Sequence, residues 1–171
     1  LLGYLPLYLR DIGWAEASAD GALSAFHTIS LICAIPIALI SDRLRSRKTI
    51  LIIGTVMIVT GTGLLSTVSG SLIWIAVLMA GMFRDGFMAV FMTTTIELEG
   101  VGPFAGTAMG TVGILSRLSG LVSPPLGNSL ASIDPGLPFV FWAVLGVTAL
   151  WGFSQVTEGR EMVAPQPSPA S

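Results

Sequence analysis

Three charged residues lie within long apolar stretches of the sequence. Arg84 and Asp85 stand side by side in the middle of one stretch, and Arg117 stands in the middle of another. In a bilayer a central charge costs at least about 2.5 kcal/mol, so each arginine needs a carboxylate, carbonyl groups, water or an anionic ligand. This predicts Arg84 as an anion or backbone anchor and Asp85 as a proton or cation site. The alternative is that the two form a structural pair that neutralises itself or caps a nearby break in the backbone. Because neighbours on a helix point about 100° apart, we expect Arg84 and Asp85 to have separate partners.

Small residues surround Arg117 at helical spacing and leave one face of its helix almost without side chains. The glycines of this stripe are Gly106, Gly110, Gly113 and Gly120. Such a face either packs closely against another helix or lines a cavity. An arginine among glycines has room to reach a water-filled pathway, which favours the cavity. We therefore expect Arg117 to face a central cavity, with Arg84 or Asp85 within reach.

Other reactive side chains are few. His27 has Ser24 and Ser30 near it in sequence and is a candidate proton relay or a hydrogen-bonded structural residue. Cys33, a single cysteine, is best explained as a small packing residue. The sequence has no nucleophile triad, paired carboxylates or metal-ligand cluster, and it predicts neither an enzyme nor a bound metal or cofactor.

The overall composition indicates a membrane protein. Of the 171 residues 53% are apolar and 11% are charged, whereas about a quarter of the residues in a soluble domain are charged. The net charge is -2 and no long run of bases occurs, which argues against a nucleic-acid partner. The class that fits this composition is an integral membrane protein surrounded by lipid.

Five stretches are long enough to cross a bilayer as helices. They cover residues 18–41, 50–68, 71–98, 105–132 and 138–155. Residues 1–9 would form only about 14 Å of helix, so we expect the chain to begin inside a helix as a fragment of a longer protein. Pro124 and Pro125 predict a break or kink near the outer end of their helix. The polar, proline-rich residues 156–171 are expected to form a disordered tail.

Basic residues indicate how the helices are oriented. Arg43, Arg45, Arg47 and Lys48 share one loop with Asp42, which the positive-inside rule places in the cytoplasm together with the tail. Counting crossings from there puts three tryptophans near the outer interface, namely Trp14, Trp74 and Trp142. The same count brings Glu97 and Glu99 to the cytoplasmic side. We therefore expect Arg43 or Arg47 to pair with one of these glutamates.

The same loop resembles the cytoplasmic signature of the major facilitator superfamily, written G-x-x-x-D-R-x-G-R-R/K. Asp42, Arg43, Arg47 and Lys48 match charged residues of that signature, and the resemblance implies that they form a cytoplasmic gate. Ala38 and Arg45 replace the two glycines, and Ser46 stands where a basic residue is usual. Further along, residues 97–110 and 123–128 look like the tenth and eleventh helices of members close to the cyanate and nitrate porters.

The resemblance implies an all-α integral membrane bundle. Residues 1–155 would form one half of a transporter, from the end of helix 7 through helices 8 to 12, in the cell (inner) membrane, and residues 156–171 its cytoplasmic tail. In this family the helices that carry Arg84, Asp85 and Arg117 face the central cavity. The implied function is secondary transport by alternating access, as a symporter or another gradient-coupled carrier. The implied partners are the N-terminal half of the same transporter and a small-molecule substrate.

The charges favour one substrate class, because two arginines and one aspartate leave the centre of the membrane positive. A small anion is therefore expected. A drug or cation exporter that uses Asp85 is one alternative. A membrane assembly protein that transports nothing, in which the charges only hold helices together, is the other.

Overall fold

The computed structural model describes residues 3–44, 46–97 and 101–155, and these ranges contain helices and turns but no strand. The helices are α1 (Leu5–Asp11), α2 (Glu16–Leu44), α3 (Arg47–Leu64), α4 (Leu72–Met82), α5 (Arg84–Glu97), α6 (Ala105–Ser129) and α7 (Leu137–Gln155). Short 3₁₀ turns, Gly102–Phe104 and Leu130–Ser132, flank α6. Glu99 and the expected tail, residues 156–171, lie outside the described residues.

Four of these helical segments are long and apolar enough to cross a membrane: α2, α3, α4 together with α5, and α7. Helix α6 has 25 residues, so it is long enough, but its glycines, serines and Arg117 make it less apolar than the other four. The predicted all-α integral membrane bundle is confirmed.

Glycine and aspartate form the turns between helices. Gly13 and Gly70 have φ angles of 92° and 64°, a left-handed conformation that glycine adopts without a steric penalty. Before α7, the carboxylate of Asp134 accepts a hydrogen bond of 2.7 Å from the Gly136 amide. Glycine conformation and an aspartate side chain therefore stabilise these three turns.

An aromatic cluster joins α1 to the ends of three other segments. The Tyr8 hydroxyl donates to the Leu65 carbonyl at 2.9 Å, and the Tyr4 hydroxyl donates to the Pro135 carbonyl at 3.0 Å. Phe139 is fully buried between these two tyrosine rings and the ring of Trp142. All three tryptophans expected at one membrane face pack against this cluster. One end of the bundle is thereby held by both packing and hydrogen bonds.

Glycine residues allow close contacts between the helices. A Cβ atom on Gly61 of α3 would lie 2.6 Å from the Ala80 amide nitrogen and 2.9 Å from the Ala76 carbonyl oxygen of α4. Similarly, a Cβ on Gly127 of α6 would lie 2.7 Å from the Trp142 ring of α7. Small residues four apart allow such close approach in membrane bundles.

Two expectations about helix continuity are corrected. The stretch 71–98 is interrupted at Phe83, which separates α4 from α5. By contrast, the predicted break at Pro124 and Pro125 does not occur, because α6 continues through both to Ser129, and a kink there stays a prediction. Proline has a φ angle that fits a helix, although it lacks the amide hydrogen and its ring crowds the carbonyl four residues earlier. This end of α6 is also held against α7, where the Trp142 indole donates to the Ser123 hydroxyl at 3.2 Å.

Candidate functional site

The interruption between α4 and α5 carries the first two charged candidates. Phe83 has φ -92° and ψ -7°, and α5 begins directly after it at Arg84. The Arg84 Nη1 atom lies 2.8 Å from Asp85 Oδ1, and the two side chains are 42% and 38% exposed. The expectation of separate partners is wrong, because the long arginine side chain spans the angle between neighbouring positions. Asp85 also lies in the first turn of α5, where the helix dipole stabilises a carboxylate.

A buried serine on α2 completes this arrangement. Backbone amides in the first turn of a helix have no acceptor within that helix. The Asp85 amide donates instead to Ser30 Oγ at 3.1 Å, and Ser30 is 0% exposed. Sequence reasoning noted Ser30 only as a neighbour of His27, and it missed this bond because the signal is a three-dimensional contact between residues 55 positions apart.

Arg117 lies midway along α6, as Arg84 does along α4 and α5 taken together. Its side chain is exposed. Among the described residues Arg117 forms no ion pair, and Asp85 is bound to Arg84. That Arg84 or Asp85 lies within reach of Arg117 stays a prediction. The central charges therefore consist of one neutral pair and one arginine that no described carboxylate neutralises.

The glycine stripe beside Arg117 is open. A Cβ atom built on any of its four members would find no atom of the described chain within 4 Å. The members are Gly106, Gly110, Gly113 and Gly120. They differ in this from Gly61 and Gly127, which are in tight contact with other helices. Within the described residues, the stripe has no packing role.

Arg47 forms the ion pairs of the loop that was predicted to lie in the cytoplasm. Its Nη2 atom lies 2.8 Å from Glu97 Oε1 and 3.7 Å from Asp42 Oδ1. The predicted pairing with Glu97 is confirmed, and it joins the end of α2, the start of α3 and the end of α5. Lys48 donates to the Ser154 carbonyl at 2.8 Å near the end of α7, where a cation is favoured by the helix dipole. Arg43 is exposed at the end of α2.

His27 is exposed on α2 and lies edge-on to the Phe26 ring, with ring centroids 5.8 Å apart. The neighbouring hydroxyls are engaged elsewhere: Ser24 donates to the Asp20 carbonyl, and Ser30 accepts from Asp85. No hydrogen-bonded chain through His27 forms among the described residues, so a proton relay through this histidine remains a prediction.

Comparison with known proteins agrees with this architecture. The sequence matches the model of the Major Facilitator Superfamily over residues 1–169. The chain therefore belongs to this family of membrane transporters. A protein of Caenorhabditis elegans described as "uncharacterized transporter slc-17.2" is 26% identical, over 88% of this chain and 33% of its own length. The chain thus spans about a third of that curated relative. No solved structure matches this chain.

Proposed function

We propose that the chain forms one six-helix half of a secondary transporter that moves a small anion through the cell (inner) membrane by alternating access. The observation that carries the proposal is Arg117, a cation at the middle of α6 that no described carboxylate neutralises. The coupling is to a proton or another ion gradient. The resemblance to cyanate and nitrate porters supports the same substrate class.

The charge balance supports an anionic substrate. Arg84 and Asp85 neutralise each other at 2.8 Å, so the net charge at this depth is that of Arg117. A lone cation inside a membrane requires water or an anion close by. The planar guanidinium can bind a carboxylate, phosphate or similar oxyanion through two parallel hydrogen bonds. A cation exporter centred on Asp85 is less well supported, since that carboxylate already has a cationic partner.

The surroundings of Arg117 supply the space. The open glycine stripe leaves one side of α6 free of side chains, and the helix touches the rest of the chain mainly through α5 and α7. Large apolar side chains on α6, such as Leu121 and Ile114, are exposed as well. These surfaces are suited to face a preceding N-terminal half across a water-filled cavity, with lipid on the outer sides.

The ion pairs of Arg47 fit the role of a cytoplasmic gate. They connect three helix ends on the side that the positive-inside rule assigns to the cytoplasm. In alternating access the two halves of the transporter move against each other. The Arg47 contacts lie within one half, where they would hold three helix ends together at a gate formed by Asp42, Arg43, Arg47, Lys48 and Glu97.

Uptake by the full-length transporter in proteoliposomes tests the proposal. The probes are nitrate, cyanate and inorganic phosphate as anions, and ethidium as a cation. We expect Arg117→Ala to reduce uptake of the transported anion more than tenfold with expression retained. Arg117→Lys should also weaken it strongly, because lysine keeps the charge but loses the planar fork. Arg10→Ala is the control, since Arg10 is an exposed arginine paired with Asp20 at 3.0 Å.

The other outcomes separate the alternatives. Normal anion uptake by Arg117→Ala would overturn the anion site. Ethidium transport that survives in Arg117→Ala but is lost in Asp85→Asn would favour the cation exporter. Poor expression and aggregation of Arg117→Ala, with no anion transported by the unmodified protein, would favour an assembly protein.

A further inference from the structure

Helix α2 contacts the α4–α5 interruption at three points along one face. Before the interruption, a Cβ atom on Gly81 would lie 2.8 Å from the Phe26 carbonyl oxygen. After it, a Cβ on Gly86 would lie 2.7 Å from Ile37 Cβ. At both positions a residue larger than glycine would push the two helices apart. They bring α2 near enough for a side chain between Phe26 and Ile37 to reach the freed amides.

Ser30 is that side chain. It lies one turn after Phe26 on the buried face of α2, and its hydroxyl accepts the Asp85 amide at 3.1 Å. The bond therefore supplies an acceptor at the point where α5 begins. Asp85 also binds Arg84 through its carboxylate. Asp85 therefore takes part in both contacts, with its backbone amide bound to Ser30 and its side chain paired with Arg84.

We propose that Ser30 is a positioning residue, whose buried hydroxyl fixes the start of α5 and thereby holds the Arg84–Asp85 pair in place. The part of this inference that concerns transport rests on the proposed function, because it treats the pair as part of the substrate pathway. The part that concerns geometry does not depend on any substrate. Ser30 acts through Asp85 and needs no contact with substrate.

Helix α2 offers a matched control in Ser41. Both serines are buried on the same helix, with exposed fractions of 0% and 2%. Ser41 Oγ has no hydrogen-bond partner among the described residues. Ser30→Ala and Ser41→Ala therefore remove the same atom from two buried positions of one helix, but only the first removes an acceptor that holds a described hydrogen bond.

Amide hydrogen exchange of the full-length transporter in nanodiscs measures the geometric part. We expect Ser30→Ala to accelerate exchange at residues 84–87 by about three- to tenfold, the effect of losing one hydrogen bond. Ser30→Cys should do the same, since sulfur is only a weak hydrogen-bond acceptor. Ser41→Ala should leave these amides unchanged. Unchanged exchange in both Ser30 variants, or an equal acceleration in Ser41→Ala, would overturn the proposal.

Initial rates of nitrate uptake measure the transport part, with KM and the maximal rate determined separately. A positioning role predicts that Ser30→Ala changes the KM or the maximal rate at least threefold at equal protein in the membrane, while Ser41→Ala does neither. Faster local exchange with unchanged kinetics would refute the positioning role and leave the anion proposal intact. If the unmodified protein transports no anion, the proposed function fails, and the exchange result alone decides whether Ser30 fixes the start of α5.

Discussion

Two glycine-to-alanine variants test whether the glycines have the different roles that the structure gives them. Gly61 and Gly113 both lie inside helices, so alanine gains about 0.5–1 kcal/mol of helix stability at either position. At Gly61 the new Cβ would lie 2.6 Å from a backbone nitrogen of α4, and atoms of that kind cannot move aside alone. At Gly113 the new Cβ meets no atom of the described chain within 4 Å.

The difference between the two variants isolates the packing cost, because the gain in helix propensity cancels. Overpacking a close contact costs about 1–3 kcal/mol. We therefore expect Gly61→Ala to be less stable than Gly113→Ala by this amount, and Gly113→Ala to be at least as stable as the unmodified protein. Reversible denaturant titration in mixed micelles gives both free energies of unfolding. Equal stabilities, or a Gly113→Ala variant that loses more than Gly61→Ala, would refute the assignment of an open stripe.

Two tyrosine hydrogen bonds and one ion pair give further predictions. Tyr8→Phe removes a buried hydrogen bond to the Leu65 carbonyl and should lower the free energy of unfolding by about 1 kcal/mol, more than Tyr4→Phe, whose bond is only partly buried. The reverse order in the same titration would contradict this. A double-mutant cycle between Arg47 and Glu97, whose side chains are 24% and 54% exposed, should give a coupling of about 0.2–1 kcal/mol. A cycle with no coupling would mean that the pair contributes nothing to stability.

Hydropathy predicted the helices well, because apolar length is a local property of the sequence. The stretches expected to span the membrane correspond to α2, α3, α4 with α5, α6 and α7. The Arg47–Glu97 pair was also predictable, since counting membrane crossings brings both charges to one side.

Features that depend on contacts between helices could not be predicted in this way. The interruption at Phe83 has no proline to mark it, whereas the two prolines of α6 leave that helix unbroken. The Ser30 bond joins α2 to α5, and nothing in the sequence around residue 30 points to residue 85. The sequence did contain one signal of a helix contact. Ala76 and Ala80 are small residues four positions apart, a spacing that allows close helix packing, and Gly61 packs against both.

Cysteine accessibility beside Arg117 tests the central claim most directly. In a Cys33→Ala background of the full-length transporter, Gly113→Cys places a thiol one turn before Arg117. We predict that a membrane-impermeant, negatively charged thiosulfonate modifies Gly113→Cys rapidly, and that the transported anion slows the reaction. Modification of Gly113→Cys only by a lipid-soluble maleimide, with no protection by any of the three anions, would contradict the account.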